Sequence, residues 1–151
     1  MGLLLAARRE WILLGGWLAA FAGGGLLDAV LKLVIRRPRP LYAAAFLQHY
    51  SWSFPSGHAM ASLIGYGMLA YVLGVLWIHR RSAQISVVLG AALVIVAIGF
   101  SRLYLGVHYF SDVVGGYAAG LLWLSACISG LEVARRWHAG ARPAAARSTP
   151  D

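Results

Sequence analysis

The stretch WILLGGWLAAFAGGGLLDAVLKLVIRRPRP, residues 11–40, decides the fold. From Trp11 to Ile35 it is apolar except for Asp28 and Lys32. A helix needs about 20 such residues to cross the hydrocarbon core of a bilayer. Its beginning, RREWILLGGWLAAFAG, also has the shape of a secretory signal peptide, with Ala20-Phe21-Ala22 as a cleavage pattern. The apolar run continues past that point through LLDAVLKLVI, which favours a retained membrane helix. Asp28 and Lys32 stand one helical turn apart and can pair, which lowers the cost of burying each.

Composition extends this reading to the whole chain. Of 151 residues, 60% are apolar and 12% charged, about half the charge of a soluble domain; the mean hydropathy is +0.71. Three more apolar segments follow, at about Ala59–Ile78, Ile85–Phe100 and Val113–Val133. The expected fold is an all-α integral membrane bundle of about four transmembrane helices. One membrane domain over residues 1–137 is expected, followed by a disordered cytoplasmic tail over 138–151. The net charge of +8 would suggest nucleic acid in a soluble protein. Here the charges sit in short clusters between apolar runs, so a nucleic-acid partner is not expected. Cys127 is the single cysteine; it cannot form an internal disulfide and reads as a small buried hydrophobe.

The charge clusters set a topology. Arg8 and Arg9, His79 to Arg81, and Arg135 with Arg136 fall on one side of a four-helix chain, which the positive-inside rule makes cytoplasmic. Residues 36–58 and 101–112 fall on the other side. Arg36, Arg37 and Arg39 there break the rule, and binding an anion would explain them. Interfacial anchoring by lipid headgroups is the plainer reading, and it suits Arg36 and Arg37 well.

The polar residues of those two segments can converge: Lys32, Arg36, Arg37, Arg39, His49, Ser56, His58, Arg102, His108 and Asp112. His108 and Asp112 are four apart. On a helix they would share a face, and a carboxylate on one ring nitrogen fixes the tautomer and raises the basicity of the other. Alternatively, Asp112 is a helix cap beside an interfacial His. Lys32, Arg39 and Arg102 offer the several cationic donors that phosphate oxygens need. Pro55-Ser56-Gly57-His58 is explicable as a helix start, with Pro in the first turn and Ser at the cap. It is equally explicable as an anion site, because Gly57 leaves the amides at a helix N-terminus open to a ligand. Trp52 and Phe54 read as interfacial anchors that could, with His49, shape an entrance.

Three motifs then stand in order: Lys32 to Arg39-Pro40 (KLVIRRPRP), Pro55 to His58 (PSGH), and Ser101-Arg102 with His108 and Asp112 (SRLYLGVHYFSD). Together they resemble the signature of the type 2 phosphatidic acid phosphatase superfamily, which includes bacterial acid phosphatases and vanadium haloperoxidases. The resemblance covers roughly residues 25–130. It implies that His108 is the nucleophile that takes the phosphoryl group, Asp112 its orienting partner, and His58 the general acid for the leaving oxygen. It implies that Lys32, Arg39 and Arg102 clamp the phosphate, with Ser56 and the Gly57 amide adding hydrogen bonds. The family's phosphatases need no metal, so no cofactor or metal site is expected.

The implied protein is an integral plasma-membrane phosphatase of a lipid phosphate or diphosphate, working at the extracytoplasmic face through a phosphohistidine. Candidate substrates are undecaprenyl diphosphate, phosphatidylglycerophosphate and phosphatidic acid. The alternative is a non-catalytic protein that binds anionic lipid through the same cations. Membrane members commonly have six helices, with the first motif ending the third; here it ends the first. The expectation is that two N-terminal helices of that arrangement are missing.

Overall fold

The computed structural model describes residues 1–40 and 51–145. His49 lies outside the described residues. The described chain is helical: α1 (Gly2–Ala7), α2 (Trp11–Ile35), α3 (Gly57–Leu76), α4 (Arg81–Tyr104) and α5 (Phe110–Ala145). Helices α2 to α5 are long and apolar enough to cross a membrane. They alternate in direction. The C-terminal ends of α2 and α4 therefore share one end of the bundle with the N-terminal ends of α3 and α5. Arg8, Arg9, His79 and Arg80 adjoin the opposite end.

Helix α3 is the centre, packed against α2, α4 and α5. Its Met60, Ile64 and Met68 recur every turn and join Ala20 of α2 with Leu124 and Leu131 of α5 in one buried cluster. Helix α4 is the reverse case. Val88, Leu89, Leu93, Val96 and Phe100 are exposed along it, a face suited to lipid and too apolar for water. Inside a bilayer apolar burial does not drive helices together, so close backbone approach and interhelical hydrogen bonds do. A Cβ added at Gly116 of α5 would lie 2.6 Å from the Ser56 carbonyl oxygen, so only glycine lets α5 approach the start of α3 so closely. Trp123 Nε1 donates to the Ala20 carbonyl at 3.0 Å, and Tyr117 donates to the Ile95 carbonyl at 2.6 Å. Tyr71 of α3 reaches Glu132 of α5 at 2.7 Å.

Several boundaries differ from the sequence reading. Helix α4 spans 24 residues, extending past both ends of the expected segment, because the flanking RSAQ and SRLY are polar yet helix-competent. Helix α5 continues to Ala145, so residues 138–145, read from sequence as the start of a disordered tail, are helical. The alanines there favour helix without adding apolar periodicity. Pro55 is not in the first helical turn. Ser56 takes the cap position in extended conformation and Gly57 is the first helical residue, so Pro55 closes the preceding loop. Helix α1 carries no span-length signal; it folds back so that Leu5 packs with Leu13 and Val72.

Candidate active site

The site forms where α2 and α4 end and α3 and α5 begin. Helix α2 stops at Arg36, whose backbone is left-handed (φ 48°, ψ 39°) and whose N–H still bonds the Lys32 carbonyl. That turn sends Arg37 and Arg39 across the end of the bundle. The Ser53 amide, donating to the Arg37 carbonyl at 2.8 Å, ties the returning chain to it.

Arg39 is held on three sides. Its Nε donates to the Ser51 carbonyl at 3.1 Å, Nη2 to Ser51 Oγ at 2.6 Å, and Nη1 to the Val107 carbonyl at 2.9 Å. None of these acceptors is charged, so the guanidinium keeps its positive charge for the cavity. Nη1 stands 3.5 Å from His108 Nε2. Burial pushes the Arg39 pKa below its ordinary value, with the Asp112 charge opposing. Lys32 Nζ donates to Asp28 Oδ1 at 2.5 Å and to the Pro55 carbonyl at 2.9 Å.

His108 is 7% exposed and precedes α5, so the four-residue spacing to Asp112 is not the helical face expected from sequence. The two still meet, because Asp112 lies in the first turn of α5 and the chain curls back over it. His108 Nδ1 sits 3.5 Å from Asp112 Oδ2, both side chains being buried. At that separation, with Nδ1 otherwise unpartnered among the described residues, the link is an attraction between charge and dipole rather than a formed hydrogen bond. Nε2 is thereby turned toward Arg39. Burial first, then the Arg39 charge, push the His108 pKa below that of an ordinary histidine, with Asp112 opposing.

Asp112 is the buried hub. Its carboxylate accepts from Ser53 Oγ, from the Tyr109 amide at 2.9 Å, and from Arg37 Nη1 at 2.9 Å. The Tyr109 bond is one half of a capping box, an acidic third residue reaching back to the amide at the start of its helix. Asp112 thus caps its own helix and stands beside the His108 ring, so the two sequence readings are compatible in this geometry.

One cavity of about 370 Å³ collects Lys32, Arg39, Gly57, His58 and His108, with Asp28 and Ser51 also on its wall. Gly57 and His58 occupy the first turn of α3, where amides have no intrahelical acceptor. Ser56 lies just behind, fully buried, with its hydroxyl unpartnered among the described residues. Arg102 is not among the residues lining this cavity; its Nε bonds Ser101 Oγ at 3.1 Å, at the end of α4. A larger cavity, about 590 Å³, lies between α3, α4 and α5 but is lined by residues such as Leu63, Val75 and Val88, without a charged group. No group of three or more His, Cys, Asp or Glu side chains among the described residues is arranged as metal ligands.

Arg37 corrects the sequence reading most. It is not an outward headgroup anchor: it pairs with Asp112, bonds Ser111 Oγ at 2.6 Å and stacks 4.3 Å above the Tyr109 ring. Arg36 stays exposed and bonds its own helix at the Leu33 carbonyl. Ser51, Ser53 and the cavity position of Asp28 also escaped the sequence reading. The positive cluster on the unexpected side pointed at Arg37; nothing in the spacing pointed at the serines.

The PAP2 superfamily model matches residues 13–136. The chain is 39% identical over 107 residues to phosphatidylglycerophosphatase B of Bacillus subtilis, covering 70% of this chain and 51% of that protein. It is 37% identical over 117 residues to decaprenylphosphoryl-5-phosphoribose phosphatase of Mycolicibacterium smegmatis, covering 74% and 54%. The chain thus spans about half the length of these curated relatives. The crystal structure of a transmembrane PAP2 type phosphatidylglycerolphosphate phosphatase from Bacillus subtilis superposes with a TM-score of 0.71, at 33% identity, over 85% of this chain and 69% of that one.

Proposed function

The chain belongs to the PAP2 superfamily, and on that premise we propose that it is a multi-pass membrane phosphatase acting on a lipid phosphate. Among the candidates, phosphatidylglycerophosphate is favoured by the names of the Bacillus subtilis relatives; the mycolicibacterial relative keeps prenyl-linked phosphates in view. The observation that carries the reading is the convergence of Lys32, Arg39, His58 and His108 on one cavity. Two further features support an anion there. Among the described residues the Arg39 guanidinium has only neutral acceptors and the buried Ser56 hydroxyl lacks a partner, which costs about 1–3 kcal/mol until an oxygen supplies one.

In the proposed reaction the lone pair on His108 Nε2 attacks phosphorus. The bond from phosphorus to the leaving oxygen breaks, and His58 gives that oxygen its proton. Asp112 holds the imidazole with Nδ1 protonated and stabilises the cationic phosphohistidine. Water then attacks phosphorus, returning a proton to His58; the P–N bond breaks and its electron pair returns to Nε2. Lys32 and Arg39 neutralise the equatorial oxygens throughout, the fixed-charge contribution on which phosphoryl transfer mainly depends. Arg102, whose bond to Ser101 engages only Nε, would join the clamp through its Nη groups. The catalytic unit is residues 1–137. The cavity faces the extracytoplasmic side, opposite the clusters at Arg8–Arg9 and His79–Arg81, as the positive-inside rule demands.

The test is phosphate release by the purified protein from a panel of phosphatidylglycerophosphate, phosphatidic acid and undecaprenyl diphosphate, with and without a chelator. Release from at least one lipid, undiminished by chelator, is expected. Lipid binding without release from any would leave the non-catalytic alternative standing. A cysteine at Trp52, labelled from outside intact cells by an impermeant maleimide, tests the sidedness.

A further inference from the structure

Asp28 stands on the wall of a cavity read as a phosphate site, where a carboxylate repels the anion it would receive. It lies outside the three motifs. We infer that Asp28 is a positioning residue, one that converts Lys32 from a mobile cation into a fixed phosphate donor. The inference rests on the phosphatase reading of the cavity.

Lys32 Nζ has three protons. One goes to Asp28 Oδ1 at 2.5 Å and one to the Pro55 carbonyl at 2.9 Å. Those two acceptors fix the direction of the third, which is left for the cavity. Without Asp28, Lys32 would hang by one bond from a flexible four-carbon stem, one turn from the membrane surface, where lysines snorkel toward headgroups. A clamp that must not reorganise as charge moves needs its donors fixed beforehand.

The pair is also shielded and seated. The side chains of Lys32 and Asp28 are 17% and 25% exposed, so water competes weakly for either. A Cβ added at Gly57 would lie 3.2 Å from Asp28 Oδ2 and 3.3 Å from Lys32 Nζ. The missing side chain at Gly57 therefore admits this ion pair against the start of α3, as well as clearing the ligand's approach. Asp28, Gly57 and Ala61 also line a narrow cavity between α2 and α3 with Phe21, Met60 and Ile64. That apolar flank strengthens the pair by lowering the local dielectric.

The experiment uses the full chain in lipid nanodiscs and reads orthovanadate binding by calorimetry beside kcat and KM on a long-chain lipid phosphate. The variants are Asp28→Ala, Asp28→Asn, Lys32→Ala and the double Asp28→Ala/Lys32→Ala, each with its melting temperature. Asp28→Ala should weaken vanadate binding tenfold or more, and Asp28→Asn, which keeps an acceptor oxygen in place, clearly less. In the Lys32→Ala background the Asp28→Ala change should alter vanadate binding less than twofold. An equal loss in both backgrounds, or an unchanged constant in Asp28→Ala and Asp28→Asn alike, overturns the inference. Should the alanine variant fail to fold, the isosteric asparagine compared with and without Lys32 decides the coupling. Vanadate binding does not require turnover. A wild-type chain that shows the coupling but releases no phosphate would sink the proposed function and leave Asp28 as positioner.

Discussion

The Arg37 guanidinium lies 2.9 Å from the Asp112 carboxylate, across 75 positions of sequence. It joins the loop after α2 to the first turn of α5. Asp112 is fully buried, and it also accepts from Ser53 and the Tyr109 amide. The charge beside the proposed nucleophile is therefore balanced by a cation that does not line the cavity.

Arg37→Ala should lower stability by about 1–3 kcal/mol, because it strips a buried carboxylate of a charged donor. The measurement is thermal unfolding in detergent. An unchanged midpoint would mean that the Arg37 pair contributes nothing measurable, as many partly exposed pairs do.

Asp112→Asn keeps the shape and removes the charge. In the cationic phosphohistidine the Nδ1–H would close on Asp112, and loss of that charge-assisted bond, about 1.5–3 kcal/mol, corresponds to a fall in kcat of about ten- to a hundredfold. The fall should appear in kcat and leave vanadate binding nearly intact, since Asp112 does not line the cavity.

Much of this was legible in residue order and some was not. The bundle was legible because span length and apolarity are properties of single segments: the range Trp11–Ile35 agrees at both ends with α2. The cavity lining at Lys32, Arg39, Gly57, His58 and His108 was legible as three motifs, each carried on one short stretch. The Arg37–Asp112 pair was not, because cation and carboxylate lie on separate elements and no periodicity relates them. Ser53 was invisible for the same reason: a serine acquires its role only when folding puts it beside Asp112. The ends of α4 and α5 were misjudged because hydropathy follows solvent preference, while helices continue through polar or alanine-rich residues that lose little by being helical.

The pH dependence follows from His108. A nucleophilic imidazole must be neutral, and burial with Arg39 lowers its pKa. The acid limb of kcat/KM should therefore fall below the ordinary histidine value of about 6.5. Arg39→Gln removes an influence that lowers the pKa, so its limb should move to higher pH; Asp112→Asn removes one that raises it, so its limb should move lower. The same shift has a stability consequence. The unfolded chain protonates first, so stability contributed by neutral His108 is lost as pH falls through about 6.5 toward the lower folded value. A limb that moves the same way in both variants would contradict this assignment of charges.

Gly116→Ala tests how the start of α3 is held. The new methyl would lie 2.6 Å from the Ser56 carbonyl oxygen, a backbone atom unable to swing aside. Overpacking of about 1–3 kcal/mol is expected, together with weakened vanadate binding, because the displaced turn carries Gly57 and His58. Calorimetry and thermal unfolding on one preparation would read both; normal values for both would show that α5 and α3 can separate freely.

The proposed reaction stands or falls with His108 as carrier of the phosphoryl group. The most direct measurement is rapid quenching of the purified protein with lipid phosphate labelled with ³²P on the hydrolysed phosphate, followed by analysis of the protein-bound label. An acid-labile, alkali-stable label is expected on a peptide containing His108, absent from His108→Ala, which should also release no phosphate. A His108→Ala protein that turns over the lipid at the wild-type rate, with no label at that position in either protein, would contradict it.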